Sequence, residues 1–128
     1  MFEELIVNIN WLAVCVGAIV AYGLGWLWFS PKMFGNKWMV GVGLTSESKT
    51  SMTHAMITQA VGTFLLAWVL GVTETTDSLA FAILVSLTTA TLVKANGFFC
   101  GKSKCAIGVE AGYIVAMVIV MISAHIIF

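Results

Sequence analysis

The chain has no arginine, a single proline and few charges of either sign: only 9% of its 128 residues are charged. Six lysines are balanced by six acidic residues. With no basic face to hold a phosphate backbone, nucleic acid is excluded as a partner. Also missing are a glycine-rich phosphate loop, a nucleophile elbow and a paired-histidine metal signature. Cys15 lies deep in an apolar run, and Cys100 and Cys105 flank a lysine-bearing turn without the second ligand pair that zinc needs. The expectation is a protein that is not an enzyme and carries no metal and no cofactor.

Apolar side chains, in contrast, make up 60% of the residues. That composition belongs to an integral membrane protein. At about 20 residues per crossing, the chain has room for four spans and no separate soluble domain. The expected fold is all-α, one transmembrane domain over residues 1–128, with four transmembrane helices in a compact bundle at residues 5–29, 52–72, 79–99 and 106–128. A short interfacial segment at residues 31–43 is expected between helices 1 and 2. A signal peptide is disfavoured at the start, because Glu3 and Glu4 stand where such a peptide is basic and no small-residue cleavage site follows.

Where the first apolar run ends, Trp26, Trp28, Pro31, Lys32 and Trp38 fall close together. Indole rings and snorkelling ammonium groups both settle at headgroup level, so these residues read as interfacial anchors. Pro31 favours an extended conformation at Ser30, which should stop or kink the helix there. Four crossings place the first and third linkers on one side of the membrane. Lys32, Lys37, Lys49, Lys94, Lys102 and Lys104 all lie in or beside those two linkers, whereas Glu3, Glu4, Glu74 and Asp77 fall on the other side. The positive-inside rule then makes the lysine-bearing loops cytoplasmic and puts both termini outside.

Small residues recur every four positions, which aligns them along one side of a helix. The rows are Ala13, Gly17, Ala21 and Gly25; Ser78, Ala82, Ser86 and Ala90; and Gly108, Gly112 and Ala116. Such rows allow close backbone approach in lipid, and they predict a tight bundle and a homo-oligomer.

Ionisable groups inside spans are costly and often functional. Glu110, His54, Lys94 and Asn96 share one membrane level and form a candidate polar cluster. Two readings stay open: a functional one, a proton or cation site or else the cytoplasmic mouth of a substrate path; and a structural one, a carboxylate at the positive end of its helix, paired with Lys94 or Lys104, with His54 merely interfacial. His125, level with Asn8 and Asn10 at the other face, is expected to make an interfacial hydrogen bond.

Asn10 in an Asn-Trp near the start of the first span, Trp28, Ser30 and Pro31 in Trp-Phe-Ser-Pro, and Phe34, Gly35 and Trp38 in Phe-Gly-Asn-Lys-Trp-Met resemble the bacterial membrane family called domain of unknown function 1761. The Glu-Ala-Gly-Tyr of residues 110–113 is similar to the start of that family's fourth span, where the pattern has asparagine or aspartate, so Glu110 departs from it. The resemblance implies a small four-helix protein of the bacterial inner membrane and brings no activity with it. The functional expectation is an oligomeric transporter or channel-like protein with a polar cytoplasmic vestibule. The alternative is a non-catalytic structural or accessory subunit that packs with lipid or other membrane subunits.

The orientation is checked by thiol labelling. A reagent that cannot cross the membrane is expected to spare Cys100 and Cys105 in intact cells and to modify them in inverted vesicles. Labelling in intact cells reverses the assignment.

Overall fold

A computed structural model describes residues 2–30, 33–41 and 52–128, without the side chains of Phe2, Glu4, Met52, Thr53 and His54. After a single 3-10 turn at Phe2–Leu5 come five helices: α1 Trp11–Trp28, α2 Gly35–Gly41, α3 Met52–Thr75, α4 Leu79–Phe99 and α5 Lys104–Ile127. Four of them, α1, α3, α4 and α5, are long and apolar enough to cross a membrane. The protein is an all-α membrane protein.

The helix ends follow local chemistry. The apolar run that begins at Leu5 does not become helix at once, because Asn8 takes a left-handed backbone (φ 63°) and Asn10 caps α1, its side-chain oxygen accepting from Ala13 N at 3.2 Å. The first long helix is therefore 18 residues, shorter than the apolar stretch that contains it. At its other end Ser30 Oγ donates to Leu27 O at 2.7 Å, and Gly35 N reaches back to Ser30 O at 2.9 Å. The chain folds tightly over the end of α1, and Gly35 is needed there: a Cβ would collide with the carbonyls of Phe29 and Ser30. Pro31 and Lys32 lie outside the described residues.

Ser78 caps α4 by accepting from Phe81 N at 3.3 Å, and Ser103 caps α5 by accepting from Ala106 N at 3.1 Å. Between α4 and α5 the turn closes with Gly101 N on Phe98 O at 3.1 Å and Lys102 N on Gly97 O at 3.0 Å. This pattern needs a left-handed residue, and Gly101 supplies it at φ +73°.

Helix α5 is the centre of the bundle and packs against α1, α2, α3 and α4. The core joins Val14, Ala18 and Ala21 of α1 to Ala67 and Leu70 of α3 and to Tyr113, Met117, Val118 and Met121 of α5. The small-residue row of α1 faces this core. Ala13 and Ala21 are buried, Gly17 lies against Met121 and Ala124, and Gly25 lies beneath the Tyr113 hydroxyl. On α4, Ala82, Ser86 and Ala90 are buried in a row. The α5 row divides: Gly112 meets the Trp28 ring, whereas Gly108 is exposed, with nothing within 4 Å of where a Cβ would stand.

These placements set up a paired test. At Gly17 an added Cβ would already stand 3.3 Å from the Met121 backbone. Gly17→Leu should therefore force α1 from α5 and cost about 1–3 kcal/mol, whereas Gly108→Leu should leave thermal unfolding in detergent nearly unchanged. Equal effects of the two substitutions would contradict the packing.

Candidate functional site

The polar groups in the bundle concentrate at the end where the α4–α5 turn meets α2. Glu110 sits in the second turn of α5, near the positive end of that helix. Its carboxylate accepts from Lys102 Nζ at 2.8 Å (Oε1) and 3.2 Å (Oε2), and from the indole N–H of Trp38 at 3.0 Å. The Lys102 and Glu110 side chains are only 23% and 15% exposed, so solvent screens this pair less than it would a surface ion pair.

Each partner is placed by backbone geometry. Lys102 follows the left-handed Gly101, and the closing bond of its N–H to Gly97 O turns it over the start of α5. Trp38 is carried by α2, which is held to α5 at a second point by Ser103 N donating to Gly41 O at 2.8 Å. Trp28, at the end of α1, donates its indole N–H to Val109 O at 3.0 Å.

An aromatic cluster fills the space between these links. Ring centroids lie 4.9 Å apart for Trp28 and Phe34, 5.2 Å for Phe29 and Trp38, and 5.4 Å for Phe29 and Tyr113. The last two pairs meet edge to face, a favourable arrangement for the ring quadrupoles. Tyr113 completes the site by donating its hydroxyl to Ala21 O at 2.7 Å. Of the expected anchors, Trp26 is exposed, while Trp28 and Trp38 turn their N–H groups inward onto α5.

The polar cluster expected from the sequence is thus rearranged. Glu110 pairs with Lys102, and neither Lys94 nor Lys104 takes that place. Lys94 and Asn96 are exposed on α4, where Asn96 accepts a weak bond from the Cys100 thiol at 3.9 Å. His54 lies on α3, but its side chain is outside the described residues. His125 makes no interfacial hydrogen bond among the described residues; both of its ring nitrogens are buried without a partner. The sequence left Trp38 and Lys102 unpaired with Glu110. They stand 72 and 8 residues from it, separations that helical periodicity does not connect.

Along α1, α3 and α4 a second set of polar groups finds partners within the chain. Gln59 Nε2 donates to Thr63 Oγ1 at 3.2 Å, the Thr63 hydroxyl contacts Met117 Sδ at 3.8 Å, and Tyr22 donates to Met56 O at 3.2 Å. Thr88, Thr89 and Thr91 return their hydroxyls to carbonyls one turn earlier on α4. Among the described residues no three His, Cys, Asp or Glu side chains come together as a metal site. As it stands, the Glu110 arrangement is a neutral, hydrogen-bonded clamp joining α2, the α4–α5 turn and α5.

The family model described as "Protein of unknown function (DUF1761)" matches residues 12–125, and the chain belongs to that family. No curated protein and no solved structure matches it.

The clamp can be dissected by a mutant cycle. Lys102→Met strands the shielded carboxylate and should cost about 1–3 kcal/mol, whereas Lys104→Met should cost little. Adding Glu110→Gln to Lys102→Met should recover part of the loss. Thermal unfolding in detergent measures these variants and Glu110→Gln alone, and additive losses for Lys102→Met and Glu110→Gln would show that the pair is not coupled.

Proposed function

We propose that the protein is a non-catalytic membrane subunit that assembles with further copies of itself through faces of α3 and α4 that its own bundle leaves uncovered. One observation carries this reading: polar side chains within spanning helices lie on the outside of the bundle. Lys94 and Asn96 of α4 and Thr58 and Gln59 of α3 are exposed, whereas the exposed hydroxyls of Thr88 and Thr91 are already bonded within their own helix. Polar groups facing lipid are unfavourable, and a neighbouring helix that accepts or donates a hydrogen bond relieves the cost. Gly62 of α3 adds a place for close approach, having nothing within 4 Å of a would-be Cβ.

Transport through a single copy draws less support. The bundle centre is filled by Val14, Ala67, Leu70, Met117 and Met121, and Glu110 is occupied by Lys102 and Trp38. A polar path between copies is the second reading, because the same exposed residues of α3 and α4 would line such a seam. The charge bias of the loops supports placing the lysine-bearing end in the cytoplasm of a bacterial cell, with both termini outside the inner membrane.

Two measurements test the proposal. Native mass analysis in lipid nanodiscs should find oligomers, with Gly62→Leu and Lys94→Leu weakening association by about tenfold or ~1.4 kcal/mol. Liposomes containing the protein should pass protons and small solutes no faster than empty ones. Monomers alone overturn the assembly, and flux that Lys94→Leu abolishes favours the path between copies.

A further inference from the structure

At the acidic end of the bundle, α3, the α3–α4 turn, α4 and α5 line a half-open cavity of about 280 Å³. Its walls include Leu70, Ala82 and Ile122, and its ionisable lining residues are Glu74, Asp77 and His125. His125 belongs to the last turn of α5 and is partly buried. Its two ring nitrogens are both shut away from water, and neither has a hydrogen-bond partner among the described residues.

The ring position explains this isolation. Cε1, the carbon between the two nitrogens, lies 3.7 Å from where a Cβ on Gly71 would stand. Val14 of α1 and Ile9, which precedes that helix, approach the same place, with side-chain carbons at 2.7 and 3.3 Å from that point. The Cε1 edge of the imidazole, between its two nitrogens, thus faces Gly71 in an apolar setting, at ordinary contact distance, while Val14 takes the space that a side chain at residue 71 would need.

A neutral imidazole can be tolerated there, with one donor and one acceptor left unused. Protonation changes the balance, since a second donor and a full charge would be buried among apolar groups. The cavity beside the ring offers the charged form a destination, because it holds two carboxylates and no lysine. Among the described residues other neighbours do not compete: Ile9 and, on α1, Val14 are apolar, α4 presents Leu79 and Ala82, and the other ionisable side chains of α5, Lys104, Cys105, Glu110 and Tyr113, lie three or more turns away toward its other end. Glu3 of the N-terminal turn is exposed and does not line the cavity.

We infer that His125 is a proton-operated latch at the acidic end of the bundle. In its neutral form the ring closes α5 onto α3 at Gly71. On taking a proton it leaves that contact, turns into the cavity and pairs with Glu74 and Asp77, and the contact between α3 and α5 at that end loosens. No metal or other ligand is required, and the latch stands independently of the assembly proposed above.

The test uses the full chain in lipid nanodiscs with C15S, C100S and C105S and spin labels at the exposed positions Thr75 of α3 and Ile127 of α5. Lowering the pH from about 8 to about 5 spans the range in which histidine takes up a proton. The distance distribution between the labels should shift and broaden in step with protonation of His125, followed by its ring nitrogen chemical shifts. The shift should be lost in His125→Phe. It should also be lost or displaced to lower pH in the E74Q/D77N pair, which leaves the buried core untouched and so reports even where His125→Phe folds poorly. A distance that does not change as His125 titrates overturns the latch, as does a change that persists in both variants.

Discussion

Helices surrounded by lipid gain nothing by hiding apolar surface from water, so α1 and α5 are held by how closely their backbones approach. The approach is asymmetric. α1 contributes Ala13, Gly17, Ala21 and Gly25, and α5 answers with Tyr113, Met117 and Met121, so large side chains of one helix occupy the space that the other leaves. Much of the remaining structure depends on this fit. Tyr113 reaches Ala21 O because Gly25 leaves room for its ring, and Trp28 reaches Val109 O because α1 ends beside the second turn of α5. With α5 fixed in this way, α2 and α4 lean on it, and it becomes the helix through which the bundle is tied together.

The two stretches that carry the family resemblance meet in space. Trp28, Phe34, Gly35 and Trp38 come from the first, and Glu110 and Tyr113 from the second. Their contacts form one aromatic and polar cluster at the lysine-bearing end. Interfacial tryptophans often anchor a helix by placing the N–H among headgroups. Here two of the three near the first turn spend that N–H inside the protein, on Val109 O and on the Glu110 carboxylate, and Trp26 alone is left outward. The motif therefore serves to dock the seven-residue α2 on α5.

The family and the number of spanning helices were legible in the sequence because apolar runs of the necessary length are separated by short polar linkers. The start of α1 was not, because Leu5 and its apolar neighbours satisfy hydropathy as well in a turn as in a helix, and the left-handed backbone at Asn8 is a conformational fact that no pattern announces. The partner of Glu110 was also hidden. Lys94 and Lys104 appear equally available by membrane level, but the turn through Gly101 directs Lys102 to the carboxylate and leaves Lys94 exposed on α4. His125 shows the same limit, since its sequence neighbours give no hint that its ring faces Gly71 of α3.

The two ends of the bundle differ in how well their polar groups are satisfied, and that difference bears on which end can move. At the lysine-bearing end four separate links join neighbouring elements: Trp28 to Val109, Trp38 to Glu110, Lys102 to Glu110, and Ser103 to Gly41. Separating the helices there would break charge-assisted and neutral bonds together in a poorly hydrated place, where unmade bonds are expensive. At the acidic end α3 and α5 meet through apolar packing at Gly71 and a ring whose nitrogens bond to nothing described, beside an unfilled space. Opening that end costs dispersion contacts but breaks no hydrogen bond of the imidazole, and it exposes nitrogens that gain partners on leaving. The links at the lysine-bearing end thus hold α5 to α1 and α2, and the acidic end is where α5 can part from α3 at the lower cost.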